Sequence, residues 1–186
     1  MKRFFDIFLS LTLLIIFLIP ILVLCLIVSL TSKGPIIYWS DRVGKNNIIF
    51  KMPKFRTMRI NTPIVATHLL KDPGSFLTPV GSILRKSSLD ELPQLVSVLK
   101  GDMSFVGPRP ALFNQVDLIE LRTCYGVHHL TPGITGWAQV NGRDTLSVEK
   151  KTLLDLEYLN KQSFYMDMKI LWLTFIQVLS SDNVSH

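Results

Sequence analysis

Residues 7–30 form a run of 24 residues without a single charged side chain. About 20 apolar residues suffice to span a bilayer as a helix, so the fold must accommodate a membrane-seeking segment at this end. A secretory signal has a shorter apolar region, about 7–15 residues, ahead of a small-residue cleavage site. No A-x-A pattern follows this run. Pro20 lies near its middle. It has no N–H and its ring clashes with the carbonyl of Ile16, so a helix must kink or break there. Lys2 and Arg3 precede the run, and Lys33, Arg42 and Lys45 follow it. Basic flanks mark the cytoplasmic side of a membrane helix, and here both flanks carry them. A helix that enters, bends at Pro20 and leaves by the same face satisfies both. A spanning helix with a tolerated proline is the alternative.

The remainder of the 186 residues amounts to one domain. The net charge of +6 suits nucleic acid, anionic lipid or a phosphate-bearing substrate. The membrane segment favours the last two, so membrane lipid is an expected partner and nucleic acid is not. Of the two cysteines, Cys25 lies inside the apolar run, which argues against a disulfide framework. The histidines have no metal-ligand spacing, and His128-His129 read as ordinary polar surface.

The expected fold is α+β and mainly helical. It comprises a membrane helix over 1–31, re-entrant or spanning, then a compact domain over 32–186 with amphipathic helices. PIIYWS and NIIFKM read as strands around the turn residues Gly44 to Asn47, which predicts a hairpin. Lys54 to Arg59 is a basic stretch whose plainest reading is a solvated face beside anionic lipid. Ser88-Leu89-Asp90-Glu91 fits a capping box, with a helix running to Lys100 and closed by Gly101. Asp90 and Glu91 then sit at a helix start, where the dipole favours carboxylates.

Val106 to Pro110 reads VGPRP. Residues before proline are pushed out of the α region, so the backbone around Arg109 is stiff. A planar fork on a rigid loop suits bidentate phosphate binding. A structural pair with a carboxylate such as Asp102 is the alternative. Thr131 to Asp144 holds three glycines and a proline, a segment able to bring N–H groups to a ligand, with Arg143 as a second anion contact. Trp137 reads as core or membrane interface. Glu149 to Lys161 looks helical. Phe164 to Leu179 reads as an amphipathic interfacial helix or a core helix.

Together these blocks closely resemble the small monotopic phosphoglycosyl transferases, a family of bacterial sugar transferases. The resemblance starts at Lys2-Arg3-Phe4-Phe5-Asp6 and continues through Lys54 to Met58, Leu84 to Pro110, and Pro132 to Arg143. It implies transfer of a phosphosugar from a UDP-sugar to polyprenol (undecaprenyl) phosphate, with Mg²⁺ assisting. The resemblance implies a re-entrant helix over 1–31 and a cytoplasmic, interfacial catalytic domain over 32–186, on the inner face of the bacterial inner membrane, at the start of surface glycan assembly. It implies that Asp90 is the nucleophile of a covalent phosphosugar intermediate and that Arg85, Arg109 and Arg143 bind phosphate. Lys54 and Arg56 are further substrate-binding candidates. The implied sugar class is an N-acetylated amino sugar.

Two positions depart from the family pattern. The helix break reads Ile19-Pro20 where the family has Ser-Pro, and Ser40 to Gly44 reads SDRVG where Q-x-R-x-G is common. Adjacent helical residues point about 100° apart, so Asp90 and Glu91 make a facing acid–base pair only with a local bend, for which Pro93 is the candidate. Glu91 is left to hold Mg²⁺ with Asp90, to orient Asp90, or to complete the cap. The competing classes are a membrane-anchored glycosyltransferase that releases UDP and a non-catalytic lipid-binding scaffold. Asp-x-Asp, a common metal motif of the former, does not occur; the nearest triplet is Asp155-Leu156-Glu157.

Overall fold

A computed structural model describes residues 1–63, 72–142 and 145–179. The proline-bearing run is divided, but not at Pro20 itself. Helix α1 covers Lys2–Ile16 and helix α2 covers Leu18–Thr31, meeting at 63° across Phe17. The break releases Ile16, whose carbonyl the Pro20 ring would strike, and leaves Pro20 in the first turn of α2. There its missing N–H costs little. Thr12 donates to the Phe8 carbonyl, and the buried Ser10 hydroxyl has no protein partner, so neither hydroxyl caps Ile16. Among the described residues no single helix is long and apolar enough to cross a membrane. The bent pair passes that test only together.

Strands β1, Ile37–Val43, and β2, Ile49–Phe55, pair antiparallel, with Tyr38 opposite Lys54 and Arg42 opposite Phe50. Asn46 and Asn47 take positive φ in the turn, at 56° and 60°. Asparagine tolerates that region better than most residues. This is the hairpin predicted from the turn chemistry. Side chains alternate along a strand, so Lys54 and Arg42 share one face.

Helix α3, Gly81–Lys86, leads to a tight turn at Leu89–Glu91, and α4 follows at Gln94–Lys100. The expected capping box is not made. Ser88 sits in the left-handed region at φ 55° with no side-chain cap bond, and α4 begins only after Pro93. Proline has no N–H for the regular ladder, so the acidic pair is held in a separate turn ahead of the helix. Gly101 closes α4 in the left-handed region as predicted, at φ 97°.

Strand β3, Ser104–Val106, pairs in parallel with β4, Gly133–Thr135. Gly107 donates to the Thr135 carbonyl and Gly133 to the Pro108 carbonyl. A Cβ at Gly133 or Gly136 would collide with the Gly107 backbone. These glycines therefore serve backbone-to-backbone approach behind Arg109; the Gly133 N–H is spent there and is not offered to a ligand. Helices α5, Val116–Cys124, α6, Trp137–Val140, α7, Val148–Lys161, and α8, Phe164–Leu179, complete the domain.

One core cluster joins Met52, Leu95, Val98 and Phe105 to Tyr158 and Ile170, with Leu9 and Leu13 of α1 packed on it. A second joins Leu24 and Val28 of α2 to Phe55 and Leu84. β2 contributes Met52 to the first and Phe55 to the second. Helix α8 packs one side into the core and exposes apolar residues on another. Ile170 is fully buried, while Trp172, Phe175 and Val178 are exposed.

Candidate active site

Three separate elements converge on the acidic turn. The end of β2 supplies Lys54, whose Nζ donates to Glu91 Oε1 at 2.6 Å. The loop after β3 supplies Arg109, whose Nη2 donates to the same oxygen at 2.8 Å. Helix α3 supplies Arg85, steadied by a bond from its Nε to Thr57 Oγ1 at 3.0 Å. The loop around Arg109 buries Pro108 and Pro110 and leaves Arg109 exposed. The two prolines act as anchors and the arginine faces outward.

The two adjacent carboxyls are driven in opposite directions. Burial raises Asp90, which is only 7% exposed; Lys54 opposes that shift, Glu91 adds to it, and Arg85 and Arg109 oppose it. Burial also acts to raise Glu91. The charges of Arg109 and Lys54, with their hydrogen bonds, overcome it and hold Glu91 well below the usual carboxylate range. Glu91 is thus a fixed anion that organises two cations. Asp90 is a buried, more basic carboxylate facing the same positive field. Glu91 accepts from Lys54 and Arg109 through one oxygen and so holds both cations beside Asp90.

Of the residues singled out in the sequence, the structure gathers Asp90, Glu91, Lys54, Arg85 and Arg109. Arg109 pairs with Glu91 rather than with Asp102. Arg56 goes elsewhere. Its Nη1 donates to the Lys33 carbonyl and its Nη2 to the Ser32 carbonyl and hydroxyl, tying β2 to the end of α2. Arg56, a substrate-binding candidate from the sequence, is thus bonded to the chain through its terminal nitrogens, and among the described residues it makes no ion pair with Glu91. Arg143 lies outside the described residues. Trp137 is half-buried, donating to Glu157 Oε2 at 2.9 Å beneath the Lys169 ammonium.

Sequence reasoning used Arg42 only as a basic flank of the apolar run and as part of the SDRVG segment, with no place in the site. Burial first, then Arg109, pushes its guanidinium down to about 10, with Glu91 opposing, so it stays charged at neutral pH. Its Nε donates to Ser40 Oγ at 3.0 Å, so the serine that departs from Q-x-R-x-G still supports the arginine. The available signal was strand alternation, which puts Arg42 on the Lys54 face. Among the described residues, no three His, Cys, Asp or Glu side chains converge as a metal cage. A hard cation that takes one carboxylate and completes its shell from water and substrate phosphate needs no such cage. Asp90 and Glu91 are the carboxylates that could hold such a cation, with Glu91 Oε1 already accepting from Lys54 and Arg109.

A buried carboxylate surrounded by cations, beside a bent apolar helix pair, suits chemistry on an anionic substrate. The chain belongs to the bacterial sugar transferase family, whose model it matches over residues 1–181. It is 42% identical over 186 residues to EpsL of Bacillus subtilis strain 168, described as an uncharacterized sugar transferase, covering 100% of this chain and 91% of that one. It is 42% identical over 184 residues to the UDP-glucose:undecaprenyl-phosphate glucose-1-phosphate transferase of Escherichia coli K12, covering 94% of this chain and 39% of that protein. It is 38% identical over 196 residues to the undecaprenyl-phosphate glucose phosphotransferase of Komagataeibacter xylinus, covering 98% and 36%. The chain thus spans nearly all of EpsL and well under half of the other two.

Proposed function

We propose that this sugar transferase moves a phosphosugar from a UDP-sugar to polyprenol phosphate at the cytoplasmic face of the bacterial inner membrane, initiating glycan assembly. The observation that carries the reading is the buried Asp90 carboxylate set among Lys54, Arg85 and Arg109, with Glu91 holding two of those cations. Both substrates are anionic, so neutralising charge around the phosphorus is the dominant demand on the site.

An Asp90 carboxylate oxygen attacks the sugar-bearing phosphorus. An O–P bond forms, the bond from that phosphorus to the bridging oxygen breaks, and UMP departs with the electron pair. A polyprenol phosphate oxygen then attacks the same phosphorus and Asp90 leaves. Two displacements spare the site from holding UMP and the lipid phosphate together. Lys54 and Arg109 keep their positions through Glu91 while the phosphate oxygens gain charge. Mg²⁺, held by Asp90 with substrate oxygens, would supply further charge neutralisation when bound. The exposed apolar residues of α2 and α8 would seat the site where a polyprenol head group is presented.

The donor sugar is the finer part of the proposal. An N-acetylated amino sugar follows from the resemblance, while the two named relatives are described as acting on glucose. Both belong in a donor screen. Incubating the protein with each UDP-sugar and no lipid should release UMP and leave a phosphosugar adduct on Asp90, read by intact-protein mass spectrometry. Asp90→Asn should abolish both. UDP release, or an active Asp90→Asn free of deamidated Asp, overturns the reading.

A further inference from the structure

The loop that presents Arg109 has few means of holding itself. Pro108 and Pro110 carry no N–H, so its carbonyls are the main handles by which the fold can fix it. All three successive carbonyls are taken, each by a different element. Pro108 accepts from the Gly133 N–H of β4 at 3.0 Å. Arg109 accepts from Arg122 Nη1 of α5 at 2.8 Å. Pro110 accepts from Arg42 Nη1 of β1 at 3.1 Å.

Arg122 is itself held rigidly. Its Nε and Nη2 donate to Asp155 Oδ2 of α7 at 3.0 and 2.6 Å. The Asp155 side chain is 1% exposed and that of Arg122 is 11% exposed. Burying an ion pair costs several kcal/mol per ion, and an apolar replacement is often as stable. Stability alone is therefore a poor reason for this pair. A guanidinium addresses Asp155 and the Arg109 carbonyl at once through its planar fork; a lysine ammonium has no such geometry. Arg42 makes the same double use of its fork, with Nε on Ser40 and Nη1 on Pro110.

We infer that Arg42 and the Arg122–Asp155 pair are positioning residues for the transfer reaction, clamping the Arg109 backbone so that its guanidinium meets the transferring phosphoryl group. This rests on the proposed function for its kinetic arm. A misplacement of about 1 Å can cost on the order of a hundredfold in rate. Arg42→Lys and Arg122→Lys should each lower kcat for UMP release by about 10–100-fold, with donor KM changed less than about twofold. Loss of that form marks an interaction realised in the transition state.

The distinguishing measurement is a double-mutant cycle. If both arginines act only through Arg109, adding Arg122→Lys or Arg42→Lys to Arg109→Lys costs little more than Arg109→Lys alone. A residue that touches phosphate directly, or one that only stabilises the fold, adds its own loss in both backgrounds. Hydrogen–deuterium exchange of the 107–112 peptide supplies a readout independent of turnover. It should speed up at least about threefold in Arg122→Lys and in Asp155→Asn. Unchanged exchange, a KM rise with unchanged kcat, or additive losses in the cycle overturns the inference. A wild-type protein that releases no UMP from any UDP-sugar overturns the proposed function instead, while the exchange experiment still decides whether the clamp exists.

Discussion

At the scale of single residues, the site depends on making two neighbouring carboxyls unlike. Asp90 is raised by burial and by the negative charge of Glu91, against the pull of Lys54, Arg85 and Arg109. Only its ionised form can attack phosphorus. The rate of adduct formation should therefore rise with pH through an acid limb lying above the ordinary Asp value of about 3.9. Glu91→Gln tests the coupling. It removes the negative neighbour and leaves Lys54 and Arg109 uncompensated, and both changes favour the Asp90 anion. The limb should move to lower pH even as the maximal rate falls through misplacement of the two cations. A pH–rate profile of adduct formation for the two proteins measures this. A limb that stays in place or moves up would show that Glu91 does not set the Asp90 environment.

At the scale of elements, local chemistry was legible and long-range convergence was not. Asn46-Asn47 between two strand-like runs announced the hairpin, and Gly101 announced the end of α4. The Ser88 capping box failed because Pro93 breaks the backbone ladder two residues beyond the pair and holds Asp90 and Glu91 in a turn of their own. The Lys54–Glu91 and Arg122–Asp155 pairs are separated by 37 and 33 residues, and nothing local in either sequence announces a partner. Arg109 was legible as a rigid arginine; what holds it rigid was not. The start of α1 shows the same limit. Lys2 and Arg3 read as membrane flanks, yet Arg3 donates to the Val98 and Leu99 carbonyls at the end of α4. Asp6 Oδ1 accepts from Ser104 Oγ and the Phe105 N–H, each at 3.1 Å, and so fixes the strand that leads into the Arg109 loop. Both donors are buried. Asp6→Leu should leave them unsatisfied and cost about 2–4 kcal/mol of stability, whereas Asp6→Asn keeps an acceptor oxygen and should cost less than half as much. Denaturant unfolding in detergent micelles measures both. Equal losses would mean that the charge of Asp6, rather than its acceptor geometry, holds the strand.

For the molecule as a whole, the central question is how the bent pair sits in a bilayer. At 1.5 Å per residue, the 15 residues of α1 and 14 of α2 reach about 22 and 21 Å, each short of a hydrocarbon core of about 30 Å. Both ends of the pair are tied to the same domain. Lys2 Nζ donates to Asp167 Oδ2 at 2.6 Å and to Tyr158 at 3.1 Å at one end. Arg56 holds Ser32 and Lys33 at the other. A fully spanning helix would have to draw Lys2, Arg3 and Asp6 away from these partners, taking the Asp6 carboxylate from the buried Ser104 hydroxyl and Phe105 N–H. These ties agree with the proposed re-entrant topology, in which both ends lie on one side of the membrane. They also assign separate tasks to Pro20 and the docking residues: the proline makes the bend inexpensive, and the ties make it obligatory. Pro20→Leu restores an N–H for the Ile16 carbonyl and removes the ring clash, but leaves the ties intact. A single cysteine inserted after Met1, in a protein lacking Cys25 and Cys124, reports the outcome through a membrane-impermeant thiol reagent added from the periplasm. The parent protein should label only after permeabilisation. Pro20→Leu should label in a minor fraction, and Pro20→Leu combined with Asp6→Leu in a clearly larger one. Labelling of the parent protein from the periplasm would overturn the re-entrant topology. Complete labelling of Pro20→Leu alone would show that the proline, rather than the docked N-terminus, decides it.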